Sequence, residues 1–241
     1  AFTEEEMVKE AEALYHQFNA HGNVVIKIPI NPAMDDEASD FDGLKAIKRL
    51  SEVGIPVNAT LIMSPEQALL AAKAGAAYAS PFAGRIDDYI RGNIGLKRGI
   101  DYPKGAYFNS RLLQNVVSKT LNEYVDTSNA SGAYTDTNLN SLIESVHDNG
   151  VISGVDLIQQ TVRIYRHYEF HTEIIAASLR NARQVREVAV IGVDIATIPF
   201  NVLVEMIRHP KTIEGMKAFT RDVVPAYKSL FQDLANSKAL K

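Results

Sequence analysis

The sequence predicts an α/β protein in which helices and strands alternate around a parallel sheet. Short apolar segments that suit buried strands recur along the chain, and segments with a helical repeat of apolar residues separate them. Alternation at this short spacing is typical of βα units. Small polar residues and one lysine fall at or near the carboxyl halves of several strands. We count five strands, whereas a closed (β/α)8 barrel needs eight.

The composition excludes several classes of function. The chain has 241 residues, a formal net charge of -4 and no cysteine. This charge argues against a nucleic-acid-binding surface, and the lack of cysteine excludes disulfides, thiolate metal sites and a cysteine nucleophile. No apolar run approaches the roughly 18 residues that span a bilayer. We therefore expect a soluble, cytoplasmic protein that binds neither membrane nor nucleic acid.

The first third of the chain alternates regularly, and its boundaries carry helix signals. Thr3 and Glu6 form a capping box at the first helix. Ser64 and Pro65 suit the start of the third helix, and Gly75 suits its end. Strands are predicted over 24–30, 55–63 and 76–85, and helices over 4–19, 41–54 and 64–75.

The alternation fails over residues 92–150, which are rich in Asn, Gly, Ser, Thr and Tyr. One helix is predicted there, over 109–124, followed by a loop over 125–138. Because the βα alternation resumes afterwards, we interpret 92–150 as an insertion within a single domain that spans 1–241. Later strands are predicted over 172–177 and 194–199, and helices over 154–170, 181–191 and 200–210, with further helical segments within 211–236.

Lys27 lies in the middle of an otherwise apolar strand, VVIKIPI. Side chains alternate between the two faces of a strand, so Asn58 and Thr60 share one face of the next strand. Ser80 and Ser178 each fall at the carboxyl end of a later strand. In a βα barrel this end carries the catalytic groups, and the recurrence of polar residues there predicts a site.

Each of these residues also has a purely structural interpretation. Lys27 can be a charged residue on an edge strand, although its apolar neighbours suit a central strand better. An asparagine or threonine within a strand is often a core residue with internal hydrogen bonds. Ser178 or Asn181 can each cap the helix that follows, and Arg85 alone can be a solvated surface residue.

The functional interpretation of Lys27 has a definite chemistry. A lysine enclosed in an apolar barrel loses its proton readily, and the neutral amine attacks a carbonyl carbon. The resulting iminium withdraws electrons and permits cleavage or formation of a neighbouring C–C bond. Arg85 and Arg180 fall near helix N-termini at strand ends, where they can hold a substrate phosphate.

Four segments carry a family resemblance: VVIKIP, GIPVNATLIMSPEQALLAAKAGAAYASPFAGRIDD, IIAASLRNARQV and IATIPFNVLVEMIRHPKT. Together they resemble transaldolase and its sister fructose-6-phosphate aldolase, over most of the chain outside the insertion. The resemblance implies a (β/α)8 TIM barrel, of which this chain supplies strands four to eight, with the insertion after strand six. We expect the chain to be the C-terminal part of a longer protein.

The resemblance also implies roles for individual residues. Lys27 matches the family's Schiff-base lysine. Asn58 matches a residue that contacts the substrate, and Thr60 one that positions the catalytic water. Ser80 matches a serine of the pocket. The remaining matches are Phe82, typical of transaldolases where the sister aldolases tend to have Tyr, and the phosphate-binding set Arg85, Ser178 and Arg180.

The implied activity is transfer of a dihydroxyacetone unit from a ketose phosphate, such as sedoheptulose 7-phosphate or fructose 6-phosphate, to an aldose phosphate. The reaction belongs to the pentose phosphate pathway and implies no metal and no organic cofactor. Two alternatives remain, which are a fructose-6-phosphate aldolase and a non-catalytic barrel that binds sugar phosphates. The sequence leaves the oligomeric state open, with a homo-oligomer as one alternative.

This chain departs from the family pattern at its start. The family's first three strands carry an acid/base Asp, a substrate-binding Asn and a Glu that holds the water, and nothing near Ala1 matches them. The VDTSN stretch superficially resembles the family's strand-one LDTAN, which would make Asp126 the acid. No matching second strand follows it, so we expect the proton shuttle to be missing from this chain.

Overall fold

The computed structural model describes residues 1–34, 41–124 and 135–224, together with residues 227, 229 and 232. The chain divides into two compact units, Ala1–Val202 and Leu203–Lys241. The first unit contains the β-sheet and all the predicted site residues. None of the helices in the described part of the chain is long and apolar enough to cross a membrane.

The sheet of the first unit has five parallel strands in chain order. The predicted α/β class with a parallel sheet is thus confirmed, although each strand is shorter than predicted. The strands are β1 (Ile26–Pro29), β2 (Val57–Ile62), β3 (Tyr78–Pro81), β4 (Glu173–Ala176) and β5 (Ile195–Ala196).

Helices follow the strands, and the predicted caps form. Thr3 and Glu6 make the capping box, and the Ser64 hydroxyl accepts a hydrogen bond from the backbone N–H of Gln67. The α-helices of the described residues are α1 (Glu4–Phe18), α2 (Asp42–Glu52), α3 (Pro65–Lys73), α4 (Ala83–Asn93), α5 (Ser110–Tyr124), α6 (Thr137–Glu144), α7 (Gly154–His167), α8 (Ala182–Ile191), α9 (Phe200–Met206) and α10 (Pro210–Arg221).

Two of these helices were not predicted. Helix α4 begins at Ala83, within the segment assigned to the third strand, because β3 ends at Pro81. Helix α6 begins within the predicted loop 125–138, where the Asp136 side chain caps it. The rest of that loop, 125–134, lies outside the described residues.

The two faces of the sheet differ in what covers them. On one face, buried residues of alternate strand positions, such as Ile28, Ala59 and Ile174, join a core with apolar residues of the surrounding helices. On the other face, Lys27 is exposed and Asn58 is half-buried. The core therefore lies between the sheet and its helices. The second face, here called the accessible face, is open to solvent at Lys27 and partly at Asn58, whereas Thr60 and Ser80 on the same face are buried.

Strand β1 pairs only with β2 in the described structure, so it is an edge strand. The expectation that Lys27 lies on a central strand in an apolar interior is therefore wrong for the described chain. The physical reason is that β1 has no second partner strand among the described residues, and the Lys27 side chain at this edge is exposed.

A buried carboxylate joins three helices at the carboxyl end of the sheet. Asp87 of α4 accepts hydrogen bonds from the backbone N–H of Gly154 (2.8 Å) and from Nε2 of Gln184 (2.6 Å). Gln184 in turn accepts from the backbone N–H of Arg180 (2.9 Å). Burial raises the pKa of Asp87 to about 6, although the Gly154 N–H and the nearby Arg91 oppose this shift.

The first turn of α4 approaches the segment after β4 very closely. A Cβ atom added to Gly84 would collide with the backbone oxygen of Ser178 and with Nε of Arg180. A backbone oxygen cannot move without displacing the chain, so only glycine fits here. Gly92 lies near the other end of the same helix, and a Cβ atom added to it would meet no other atom within 4 Å.

We predict that Gly84→Ala lowers the free energy of unfolding by about 1–3 kcal/mol, the usual cost of overpacking. Gly92→Ala is the matched control, because it adds the same methyl group to the same helix without a collision, and alanine favours helix. Urea unfolding of both variants, followed by circular dichroism, measures the difference. Equal stability of the two variants would contradict the close approach.

We predict that Asp87 makes stability fall as pH rises. Below about pH 3.8 its carboxyl is protonated in the folded and in the unfolded protein. Between that pH and about 6 the carboxyl is ionised in the unfolded protein but still protonated in the folded one. The stabilisation is therefore complete at low pH and is lost as pH rises to about 6, by at most about 3 kcal/mol.

The difference in unfolding free energy between the wild type and Asp87→Asn isolates this effect, because all other groups titrate equally in both proteins. The variant cannot titrate at position 87, so the wild type should lose stability relative to it between pH 4 and 6. A difference that stays constant over this range would show that Asp87 titrates normally in the folded protein.

Candidate active site

The pairing of β1 with β2 places three of the predicted residues on one face. Lys27 is the register partner of Asn58, and Pro29 that of Thr60. Partners in a parallel pair point to the same side of the sheet, so the amine, the amide and the hydroxyl share the accessible face. The Ser80 hydroxyl of β3 donates a 2.7 Å hydrogen bond to Oδ1 of Asn58 and extends the group.

Thr60 has an unusual environment for a hydroxyl group. Its Oγ1 is buried and has no hydrogen-bond partner among the described residues. A buried polar group without a partner costs about 1–3 kcal/mol, so such a group is rare in a purely structural role. Directly after Thr60 the register with β3 shifts, and Leu61 adopts a left-handed conformation with φ of 60°.

Phe82 connects the amine with the first arginine of the phosphate-binding set. The centre of its ring lies 5.9 Å from Nζ of Lys27 and 4.9 Å from Cζ of Arg85, so both cations are within cation–π range. Phe82 precedes α4, and Arg85 lies in its first turn. The helix dipole makes this end favourable for an anion. Arg85 is exposed, yet it is ordered against an aromatic ring.

The segment after β4 places Ser178 and Arg180 at the same end of the sheet. Asn181 caps α8, because its side chain accepts a hydrogen bond from the backbone N–H of Gln184 (2.9 Å). Of the two cap candidates, Asn181 therefore fills the role, and Ser178 is left in a left-handed conformation with φ of 62°. Ser178 and Arg180 line a cavity of about 190 Å³, together with Lys104 and Gly105.

Asp88 forms an ion pair with Arg180. Its Oδ1 lies 2.5 Å from Nη1 of Arg180, and its Oδ2 lies 2.9 Å from Nη1 of Arg98. The Tyr102 hydroxyl also donates to Oδ1, at 3.0 Å. Burial alone would raise the pKa of Asp88, but these hydrogen bonds and charges outweigh it and lower the pKa below its usual value. Arg180 is thus a buried, ion-paired guanidinium.

The predicted site residues fall into two groups, and the members of each group lie close to one another. Contacts link the first group, which contains Lys27, Asn58, Ser80, Phe82 and Arg85, and Thr60 lies on the same strand face. The second group lines the cavity and contains Ser178 and Arg180.

Asp126, the alternative acid, lies outside the described residues. Sequence reasoning missed Asp87 and Asp88, because α4 itself was missed. It also missed Lys104, which lies in the segment interpreted as an insertion. Ile86 and Ile90, four residues apart and both buried, are the signal that would have revealed α4.

Comparison with known proteins gives a consistent result. The sequence profile of the family described as Transaldolase/Fructose-6-phosphate aldolase matches residues 1–137 and 132–240. Three curated relatives are each named "Probable transaldolase". The one from Chlorobium phaeobacteroides is 37% identical over 218 residues, which are 90% of this chain and 64% of the relative.

The relative from Prosthecochloris aestuarii is 36% identical over 225 residues, which are 93% of this chain and 68% of that protein. The relative from Chlorobium chlorochromatii is 39% identical over 201 residues, which are 83% of this chain and 59% of that protein. The chain thus spans only about two thirds of the length of the curated relatives it matches. Because the family profile covers both halves of the sequence, the chain belongs to the Transaldolase/Fructose-6-phosphate aldolase family.

Proposed function

We propose that this chain carries the Schiff-base and phosphate-binding residues of a transaldolase. The observation that carries the proposal is the group on the accessible sheet face, where Lys27 lies beside Asn58, a buried Thr60 hydroxyl lacks a described partner, and Phe82 connects the amine with Arg85. An edge-strand lysine that served only solubility would need none of these neighbours.

The five strands correspond in this proposal to strands four to eight of a (β/α)8 barrel. Their sequential parallel order supports it, as do helices on one face and polar groups on the other. Closure of a barrel would turn the accessible face inward, so that Lys27 would lie in its interior. The greater length of the curated relatives is consistent with this arrangement.

The proposed reaction begins when the Lys27 amine attacks the carbonyl carbon of a ketose phosphate. Loss of water gives an iminium, which accepts the electron pair of the C–C bond between its α and β carbons as that bond breaks. An aldose phosphate leaves, and a dihydroxyacetone unit stays on Lys27 as an enamine. The enamine carbon attacks the aldehyde of a second aldose phosphate, and water releases the new ketose phosphate.

Individual residues have distinct tasks in this scheme. Asn58, fixed by Ser80, contacts the hydroxyl groups of the dihydroxyacetone unit. The Thr60 hydroxyl holds the water that forms and hydrolyses the iminium. Arg85, Ser178 and Arg180 bind the phosphate. An acid/base group that the described residues do not identify takes the proton from the hydroxyl of the cleaved carbon, and the scheme uses no metal or organic cofactor.

Two other functions follow from the same fold. An aldolase would cleave fructose 6-phosphate without transfer, and Phe82 argues against it only through the family pattern. A non-catalytic protein that binds sugar phosphates is favoured by one observation, the exposure of Lys27 in the described structure. It predicts saturable binding without turnover, and binding that survives the loss of Lys27.

A cytoplasmic location remains an expectation from the lack of cysteine.

We predict that borohydride traps fructose 6-phosphate on Lys27. The amine should form an iminium with the ketose, and reduction should convert it to a stable amine that intact-mass measurement and peptide mapping locate. Lys27→Met should abolish this adduct completely. Lys9→Met is the matched control, because Lys9 is an exposed lysine on α1, away from the sheet face, and should leave trapping unchanged.

Circular dichroism first establishes that the chain is folded. Adduct on the Lys27 peptide alone supports the Schiff base, and adding an acceptor aldose phosphate then distinguishes transfer from simple cleavage. If a folded chain gives no adduct, or gives adducts spread over many lysines, Lys27 is not the nucleophile and the binding-only function takes its place.

A further inference from the structure

We propose that Lys104 supplies a further positive charge that binds the phosphate group of the substrate, and that Lys104 and Gly105 form one wall of the phosphate pocket, which residues 106–108 anchor. This inference rests on the proposed function and deepens it, because it names a further residue of the site. It also assigns a task to part of the segment that the sequence alone leaves as an unexplained insertion.

The shape of the site brings Lys104 next to the predicted phosphate-binding residues. Lys104 and Gly105 line the same cavity as Ser178 and Arg180. Its volume of about 190 Å³ is below the roughly 300–1,000 Å³ of pockets for whole small molecules, so it suits one part of a substrate, such as its phosphate group. Gly105 packs against the backbone of Arg180, whose carbonyl oxygen would lie 3.4 Å from an added Cβ atom. The residue before it, Lys104, is thereby kept at the cavity.

Polar contacts to α8 and its cap hold the segment after Lys104 in place. The Asn181 side chain donates to the backbone oxygen of Gly105 (3.3 Å). The Tyr107 hydroxyl donates to Glu187 (3.0 Å), and the guanidinium of Arg183 lies 3.6 Å from the centre of its ring.

Contacts to α4 hold the same segment from the other side. Arg91 donates to the backbone oxygen of Ala106 (3.1 Å), and its guanidinium lies 5.1 Å from the ring centre of the buried Phe108. A solvated loop would not need anchors on two helices. The wall is therefore fixed in place next to the cavity.

The charges around the cavity favour an anion. Asp88 is shared between Arg180, Arg98 and Arg91, so one carboxylate faces three guanidinium groups and the cluster keeps net positive charge. Nε of Arg180 is buried and has no hydrogen-bond partner among the described residues. Lys104 makes no ion pair within the described parts of the chain and is exposed. A phosphate dianion at Ser178 and Arg180 would thus meet Lys104 as an additional positive charge, whose flexible ammonium binds phosphate as a point charge.

The test compares ligands with and without phosphate. Lys104→Met should weaken binding of fructose 6-phosphate about five- to tenfold, the size expected for loss of one partly exposed charge-assisted contact. Lys104→Arg should restore most of the affinity. The matched control is Lys97→Met, which removes an exposed lysine of the same segment that does not line the cavity. Isothermal titration calorimetry measures the affinity.

The second probe is dihydroxyacetone, which has no phosphate group. Borohydride trapping at a saturating concentration of dihydroxyacetone measures how much adduct forms. Trapping of dihydroxyacetone should be equal in Lys104→Met and in the wild type. This measurement separates the proposed Schiff base on Lys27 from the proposed phosphate contact of Lys104. If Lys27 forms the adduct but the protein does not prefer ligands with a phosphate group, only the role of Lys104 is overturned. Phosphate-dependent binding without adduct would overturn the Schiff base and leave Lys104 in place.

Two results would overturn the inference about Lys104. One is unchanged affinity for fructose 6-phosphate in Lys104→Met. The other is an equal loss in Lys104→Met and Lys97→Met, which would show a general effect of net charge. A loss in Lys104→Met that Lys104→Arg restores, with Lys97→Met unaffected, supports it.

Discussion

The sequential parallel pairing of the strands is the constraint on which the site depends. Partners in register point to the same side, so the pairing of β1 with β2 decides that Lys27 meets Asn58. The opposite side is fixed by apolar burial against the helices. A register slip of one residue would turn Lys27 into the core. There its ammonium would face residues such as Ile47 and Leu50, at a large cost in desolvation.

Two adjacent carboxylates of helix α4, Asp87 and Asp88, have opposite pKa shifts. Successive residues of a helix point about 100° apart, so Asp87 faces the junction with α7 and α8 while Asp88 faces the arginines. Burial dominates at the first and raises its pKa, whereas hydrogen bonds and guanidinium groups dominate at the second and lower its pKa. Asp87 thus organises the backbone beneath Arg180 through Gln184, and Asp88 forms an ion pair with its side chain.

Backbone conformations of higher energy lie next to the polar groups of the site. Leu61 follows Thr60, and Ser178 follows β4, and both are left-handed although neither is glycine. Such conformations cost about 1–3 kcal/mol each and are found at functional sites more often than elsewhere. Between them, Phe82 donates its backbone N–H to the oxygen of Ile62 (3.0 Å), which ties the carboxyl end of β2 to the start of α4. The strain is thus held by hydrogen bonds between neighbouring elements.

The sequence by itself determined the α/β class, the five strands, most helices and the two caps at Thr3 and Ser64, because hydrophobic period and capping chemistry are local properties. It also predicted that Asn58 and Thr60 share one face of their strand and that Ser80 lies at the end of the next. The tertiary structure alone decided that β1 is an edge strand, that Asn181 and not Ser178 caps α8, and that Asp88 forms an ion pair with Arg180. It likewise placed Lys104 at the cavity. The cap is a local contact, but two candidate residues fit the same local pattern. The other features depend on distant contacts, such as that between Asp88 and Arg180, 92 positions apart, and no local pattern records which distant groups a fold will bring together.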